Sequence, residues 1–214
     1  MSEVTVYYTC YPLKKWLQPA EILKIAEKMP LKRYQTFLQL DSDLAKGQNV
    51  VAYLLLSKIL REKNIDIHNL DYSYRASGKP YFKNSLLKFN ISHSDVMVAV
   101  VVDSFEIGLD IEKIKPVDAD MLDYVYSKQE QKNYHQMLLD EEFFCKTWTL
   151  KESYAKYKGQ GLNIDFSSLT FNLNRNFLKK DNVFINSFKI ADYFLSVCSE
   201  RKQVEVQYLE FKDL

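Results

Sequence analysis

Residues 3–8 alternate Val4, Val6 and Tyr8 with Glu3, Thr5 and Tyr7, the period of a half-buried strand. The period then lengthens. Pro19 suits the first turn of a helix whose apolar stripe is Ile22, Ile25, Ala26 and Met29, and Pro30 ends it. The strongest helical pattern of the first half covers residues 43–61. Leu44, Val50, Val51, Leu54, Leu55 and Ile59 form its apolar face, and Ser42 or Asp43 can cap it. Gly47 costs this helix about 1 kcal/mol relative to alanine. A glycine here lets something approach the backbone closely.

From residue 70 the period falls to two. Residues 72–75, 86–92, 96–103 and 106–112 read as strands, with a turn at Ser77-Gly78-Lys79-Pro80 and another at Asp103-Ser104. Met97 to Val102 is almost wholly apolar, as in a strand covered on both faces. The second half repeats the order. Short helices are expected at 118–126 and 127–137, and a longer one at 140–158 with Phe144, Trp148 and Ala155 on one stripe. Gly159-Gln160-Gly161 stops it. Strands follow at 169–173, 183–190, 193–199 and 204–209.

Helices followed by antiparallel strands, twice over, predict an α+β fold rather than repeated βαβ units. Phe89-Asn90-Ile91 and Phe188-Lys189-Ile190 each precede an apolar strand, a hint of a duplicated unit. The expected division is a half at 1–105 and a half at 106–214. No Pro/Ser-rich linker separates them, so they should share one interface.

Composition narrows the class. Among 214 residues, 47% are hydrophobic and 27% charged, with only 5 Gly and 5 Pro, which excludes collagenous, linker-rich and disordered chains. No apolar run is long enough for a membrane helix, and the start, with Glu3 in a strand pattern, does not read as a signal peptide. Cys10, Cys145 and Cys198 are widely spaced, with no Cys-x-x-Cys pair, so reduced thiols in a cytoplasmic protein are expected. Residues 1–105 hold 14 basic and 10 acidic groups, net +4, and residues 106–214 hold 15 and 18, net −3. Neither half has the balance of a dedicated nucleic-acid binder. A basic half against an acidic half suits a phosphorylated small molecule beside a metal, and also suits an ordinary mixed surface.

Four constellations can carry chemistry. In Gly108-Leu109-Asp110-Ile111-Glu112, residues two apart share a face, so Asp110 and Glu112 project together while Ile107, Leu109 and Ile111 point inward. Paired carboxylates repel unless a cation or proton lies between them, and hard cations such as Mg²⁺ take such oxygen ligands. In Trp148-Thr149-Leu150-Lys151-Glu152-Ser153-Tyr154-Ala155-Lys156, Glu152 and Lys156 stack on one helix face. Phe89-Asn90-Ile91-Ser92-His93-Ser94 ends a strand in small polar groups, and His93 can donate to a phosphate. Gly78-Lys79-Pro80 fixes Lys79 on a stiff turn. Each also has an ordinary reading: solvated acids, a helix ion pair, a turn histidine, a plain turn.

Taken together and in this order, these motifs resemble the Sfp-type 4′-phosphopantetheinyl transferases, most densely over 78–116 and 143–162. The resemblance implies a pseudo-dimeric fold of two similar α+β subdomains in one chain, with antiparallel sheets and packed helices. It implies a monomer, because smaller trimeric relatives make between chains the interface this length supplies within one. The implied reaction moves the phosphopantetheine arm of coenzyme A onto a serine of an apo acyl or peptidyl carrier protein, releasing adenosine 3′,5′-bisphosphate. Asp110, Glu112 and Glu152 match the Mg²⁺ ligands. Glu152, or a metal-bound water, is the general base, and Lys156 contacts phosphate and assists proton transfer. Ser92 and His93 match phosphate-binding positions, and Lys79 a basic position near the nucleotide.

The segment 31–47 departs from the family, which carries arginines near the positions of Thr36 and Ala45; Lys32, Arg33 and Lys46 are the substitutes in view. Residues 121–144, with Lys113, Lys115, Lys128 and Lys132, are expected on the carrier side. His68 and His135 are expected at the surface. The expected partners are coenzyme A and the carrier, with no nucleic acid and no membrane. A metal-dependent phosphodiesterase or nuclease, and an inactive coenzyme A or carrier binding module, are the competing readings.

Overall fold

The computed structural model describes residues 3–11, 18–159 and 164–214. Their elements are β1 (Val4–Cys10), α1 (Pro19–Ala26), α2 (Leu31–Leu38), α3 (Asp43–Glu62), β2 (Tyr72–Tyr74), β3 (Pro80–Phe82), β4 (Lys88–Ser94) and β5 (Met97–Asp103). After these come β6 (Ile107–Lys113), α4 (Leu122–Val125), α5 (Lys128–Tyr134), α6 (Glu141–Lys158), β7 (Phe177–Lys180), β8 (Val183–Ile190), β9 (Tyr193–Ser199) and β10 (Val204–Tyr208). The molecule is α+β, as its periodicities predict.

Two four-stranded sheets, ordered β10-β1-β5-β4 and β6-β9-β8-β7, carry the fold, and β2 and β3 form a small hairpin beside them. In the first sheet β1 pairs antiparallel with β5 of the β4–β5 hairpin. In the second, β6 pairs antiparallel with β9 of the β8–β9 hairpin. The order strand, helices, hairpin thus occurs twice along the chain.

Alternation decides the layers. Val4, Val6, Met97, Ala99 and Val101 of the first sheet meet Ile107, Leu109, Ile111, Leu195 and Val197 of the second in one buried cluster. The opposite face of the first sheet packs under α1 and α3 through Val50, Leu55, Ile59, Phe89, Val100 and Val102. The opposite face of the second packs under α6 through Leu150, Tyr154, Ile185 and Cys198. Strands β5 and β9 are buried at every residue, because both of their faces are covered.

Several expectations hold in detail. Ser42 caps α3 by accepting from the Ala45 N–H at 3.1 Å. Gly159 adopts the left-handed conformation at the end of α6 (φ 68°), and Gln160 and Gly161 lie outside the described residues. A Cβ on Gly47 would lie 2.5 Å from the buried Tyr11 ring, which is the close approach its position implied. The three cysteines are free, and His68 and His135 are exposed.

Other expectations are corrected. Residues 169–173 form no strand. Their backbone groups are satisfied instead by a buried ion pair: the Leu169 carbonyl accepts from Lys151, and the Phe171 N–H donates to Glu130. The edge strand is β7, a few residues later. Helix α2 was not foreseen, because its stripe places Arg33 beside Phe37 on the buried face. The last strand, β10, pairs parallel with β1, so the chain ends in the sheet begun by residues 4–10.

Candidate active site

The sequence puts Gly108, Asp110 and Glu112 on the face of β6 opposite the inter-sheet core, where α6 crosses. Gly108 sets how close the helix comes. A Cβ built there would lie 1.9 Å from the Ser153 carbonyl oxygen and 2.4 Å from the Tyr157 nitrogen, so only glycine fits beneath the α6 backbone. This approach brings Glu152 and Lys156 of α6 to the carboxylates of β6. Sequence reasoning missed the role; the signal was a glycine inside a strand pattern.

The other wall is β4. It lies against the free edge of β6, and its alternate polar side chains saturate that edge. Asn90 Oδ1 accepts from Leu109 N–H at 3.1 Å, Ser92 Oγ from Ile111 N–H at 3.2 Å, and Ser94 Oγ from Lys113 N–H at 3.1 Å. The period of two in Asn90-Ile91-Ser92-His93-Ser94 thus has a physical meaning. Its polar side chains replace the backbone partner that an edge strand lacks.

Where the walls meet, Ser92, Asp110 and Lys156 form one cluster. Asp110 is buried; its Oδ1 accepts from Lys156 Nζ at 2.7 Å and from Ser92 Oγ at 2.9 Å. Lys156 Nζ also donates to Ser92 Oγ at 3.1 Å. Asp110 Oδ2 is buried with no hydrogen-bond partner. Glu152 lies near them. Burial raises its pKa, with the Asp110 charge acting in the same direction and Lys156 opposing both. The imidazolium of His93 is disfavoured by the surrounding protein, then by Lys156 and Arg33, which lowers its pKa although the ring is exposed.

Of the expected metal ligands, Asp110 and Glu152 are brought together. Glu112 turns its Oε1 to Lys115 at 2.7 Å. Among the described residues, no three His, Cys, Asp or Glu side chains are gathered as a metal cage. Two lysines satisfy the β6 acids instead, as like charges require when no other cation is near. The donor set still fits a hard cation. It offers carboxylate oxygens, one of them orphaned in a buried position, and a second acid whose ionised form is disfavoured.

The expected phosphate contacts divide. Ser92 and His93 are at the cluster. Lys32 is exposed on α2 and Lys46 half-buried on α3. Arg33 corrects its expectation: it is 3% exposed, donating to Tyr72 Oη and to the Asn49 carbonyl, both at 2.8 Å, with its Nε unpartnered. Its side chain follows Phe37 inward, four residues along the helix. Lys79 also differs from an open nucleotide contact. Its ammonium is enclosed, donating to the Ile107 and Lys156 carbonyls at 2.8 Å and to Glu106 at 3.3 Å.

Next to Glu112 lies a cavity of about 250 Å³ lined by Lys113, Lys115, Met121, Phe144, Cys145 and Trp148. Cys145 donates to the Glu112 carbonyl at 3.3 Å, and burial pushes its thiol up to about 12, so it is inert.

Comparison with known proteins gives these similarities. Residues 106–204 match the family model of the 4′-phosphopantetheinyl transferase superfamily. The chain is 34% identical over 125 residues to the 4′-phosphopantetheinyl transferase Sfp of Bacillus subtilis strain 168, covering 57% of this chain and 56% of that protein. It is 29% identical over 159 residues to the 4′-phosphopantetheinyl transferase ffp of Bacillus subtilis, covering 69% and 71%. It is 26% identical over 154 residues to the 4′-phosphopantetheinyl transferase gsp of Aneurinibacillus migulanus, covering 71% and 65%. The match thus spans little more than half the length of the first of these relatives. The acids of β6 and the Glu152–Lys156 turn of α6 both lie inside the matched region, and over it the chain is similar to the 4′-phosphopantetheinyl transferase superfamily.

Proposed function

We propose that this protein transfers the 4′-phosphopantetheine of coenzyme A to a serine of an apo acyl or peptidyl carrier protein, leaving adenosine 3′,5′-bisphosphate. The observation that carries the reading is the Ser92–Asp110–Lys156 cluster with Glu152 beside it: phosphate donors, carboxylates and a poised base at one seam. Phosphoryl transfer asks chiefly for positioning and charge neutralisation, and this seam supplies both.

Asp110, Glu112 and Glu152 would hold a Mg²⁺ ion, which neutralises the charge of the pyrophosphate. Lys156, already aimed at Asp110, donates to the transferring phosphate oxygens. His93 donates to the phosphates, and the Ser92 hydroxyl, which donates to Asp110 in the free protein, would do so only after leaving that carboxylate, with Lys32 and Lys46 on the N-terminal side as further cations. Glu152 accepts the proton of the attacking serine, a role that suits a carboxyl whose pKa is raised toward the working pH. The carrier approaches over residues 121–144, where Met121 and Phe144, with Trp148 of the next turn of α6, line the cavity beside Lys113 and Lys115. Lys128 and Lys132 flank this approach and steer an acidic partner. The halves 1–105 and 106–214 act as one pseudo-dimeric monomer, working in the cytoplasm without nucleic acid or membrane. No helix of the described residues is long and apolar enough to cross a membrane.

Intact mass spectrometry tests the reading. An apo carrier incubated with this protein, coenzyme A and Mg²⁺ gains one phosphopantetheine. An unmodified carrier across acyl and peptidyl types refutes it, and degraded nucleic acid in the same assay points to the nuclease reading.

Two titrations follow from the site. A folded-state pKa raised above the ordinary value makes the neutral acid stabilising at low pH. That contribution is lost as pH rises through the raised value, so ionised Glu152 burdens the fold at pH 7. In the metal-free protein, Glu152→Gln raises the melting temperature at pH 7 to 8, with the gain vanishing toward pH 4, while turnover falls by about 10²-fold or more. His93, with its lowered pKa, takes up a proton when a phosphate binds. The KM for coenzyme A therefore rises with pH once pH passes the lowered value of the free imidazole, and His93→Gln flattens the profile.

A further inference from the structure

We infer that Lys79 is a positioning residue for Lys156: a clamp that fixes the last turn of α6 on the first residue of β6, rather than a ligand of the nucleotide. The inference rests on the transferase reading of the site.

The Gly78-Lys79-Pro80 turn gives Lys79 a fixed starting point. The Arg75 N–H donates to the Lys79 carbonyl at 2.9 Å, the Gly78 N–H donates to the Arg75 carbonyl at 2.9 Å, and Gly78 sits at φ 83°, which glycine alone adopts without strain. Pro80 opens β3, and the hairpin of β2 and β3 is anchored in the first core through Tyr72 and Phe82. From this anchor the Lys79 side chain crosses to the other half of the chain. It is 9% exposed, and its three ammonium hydrogens meet three oxygens: the Ile107 carbonyl, the Lys156 carbonyl and Glu106 Oε2.

Two of these acceptors define the site. Ile107 begins β6, which carries Asp110 three residues further on. Lys156 is the residue whose own ammonium meets Asp110. Carbonyls in the last turn of a helix are poorly satisfied within it and form the negative end of its dipole, where a cation is favoured; apart from Lys79, the Lys156 carbonyl accepts among the described residues only from the Gly159 N–H, at a long 3.3 Å. Lys79 therefore bonds the end of α6 and the start of β6 through one nitrogen, on the far side of the Gly108 contact. The pair of anchors fixes the register of α6 along β6, and so the reach of Lys156. The burial cost of the ammonium is offset by Glu106, which Arg75 and Lys88 also approach, at 2.7 and 3.7 Å. A lysine committed in this way has no donor left for a phosphate.

The test uses Lys79→Met and Lys79→Arg in the full chain, with amide hydrogen exchange and steady-state kinetics. In Lys79→Met, amides of residues 155–159 are expected to exchange faster than in the wild type. kcat falls about 10-fold or more, the cost of a small misplacement, while KM for coenzyme A stays within about twofold. Lys79→Arg, which keeps charge and donors, restores part of kcat. A KM that rises about 10-fold at unchanged kcat makes Lys79 a nucleotide ligand and overturns the inference, as does unchanged exchange at 155–159. If Lys79→Met does not fold, Lys79→Arg carries both readouts, with a smaller kcat loss at constant KM expected. Absence of transferase activity in the wild type would sink the functional reading alone, because the exchange result still decides the clamp.

Discussion

Gly108→Ala is expected to lower turnover by about 10²-fold or more and to lower the melting temperature as well. The added methyl has nowhere to go. Its nearest neighbours are the Ser153 carbonyl and the Tyr157 nitrogen, backbone atoms of a helix whose other contacts are buried. Neither can swing aside as a side chain would, so α6 must lift or slide along β6. Overpacking of this kind costs about 1–3 kcal/mol and occasionally more. For a chain of this size each kcal/mol lowers the melting temperature by roughly 2–4 °C. Activity suffers more than stability, because Glu152 and Lys156 ride on the displaced turn, and an error near 1 Å at a catalytic group costs about 10²-fold. Thermal melts and carrier modification rates on the same preparation check both effects. Wild-type behaviour in both would mean that α6 does not rest on Gly108.

Lys151→Met is expected to be the most destabilising single substitution in α6. Lys151 is fully buried, and its ammonium donates to the carbonyls of Val125, Phe166 and Leu169 and to Glu130 Oε2 at 2.6–3.0 Å. Glu130, also fully buried, accepts in turn from the Ser127 and Phe171 N–H groups at 2.8 Å. Two chain segments, 125–130 and 166–171, are thereby fastened to the turn that carries Glu152. Removing the lysine leaves a buried carboxylate uncompensated and three carbonyls without a donor, a loss of about 3–5 kcal/mol. Glu130→Gln in the Lys151→Met background removes the stranded charge. The double variant is therefore expected to recover part of the loss in a denaturant titration. Equal or additive losses would show that the two groups do not act as a pair.

The contrast between these residues shows which parts of the site can be read in a sequence. Asp110 and Glu112 were legible, because a strand's period of two assigns faces without knowledge of neighbours, and Ile107, Leu109 and Ile111 are indeed fully buried on the other side. Ser92 and His93 were legible as a polar strand end, but not as the saturation of the β6 edge, which depends on two strands 19 residues apart meeting at a seam. Lys151 was hidden by its own chemistry: a lysine beside a glutamate on a helix reads as solvated. The available signal was its place between Leu150 and Tyr154, on the side of α6 that faces the core. Arg33 is expected near the phosphate as a substitute cation, and Lys79 near the nucleotide because it matches a basic position of the family. In the structure Arg33 is buried with its Nε unpartnered and the Lys79 ammonium is enclosed by three oxygens, and no local pattern in the sequence distinguishes such placements from an open cation.

The central claim is that the acids of β6 and α6 serve one divalent cation at the phosphate seam. Electron paramagnetic resonance of Mn²⁺, titrated into the protein with coenzyme A present, counts that ion directly. One bound Mn²⁺ per chain is predicted for the wild type, with binding lost in Asp110→Asn while the melting curve stays cooperative. Wild-type protein that leaves Mn²⁺ free, or Asp110→Asn that binds it unchanged, would contradict the account.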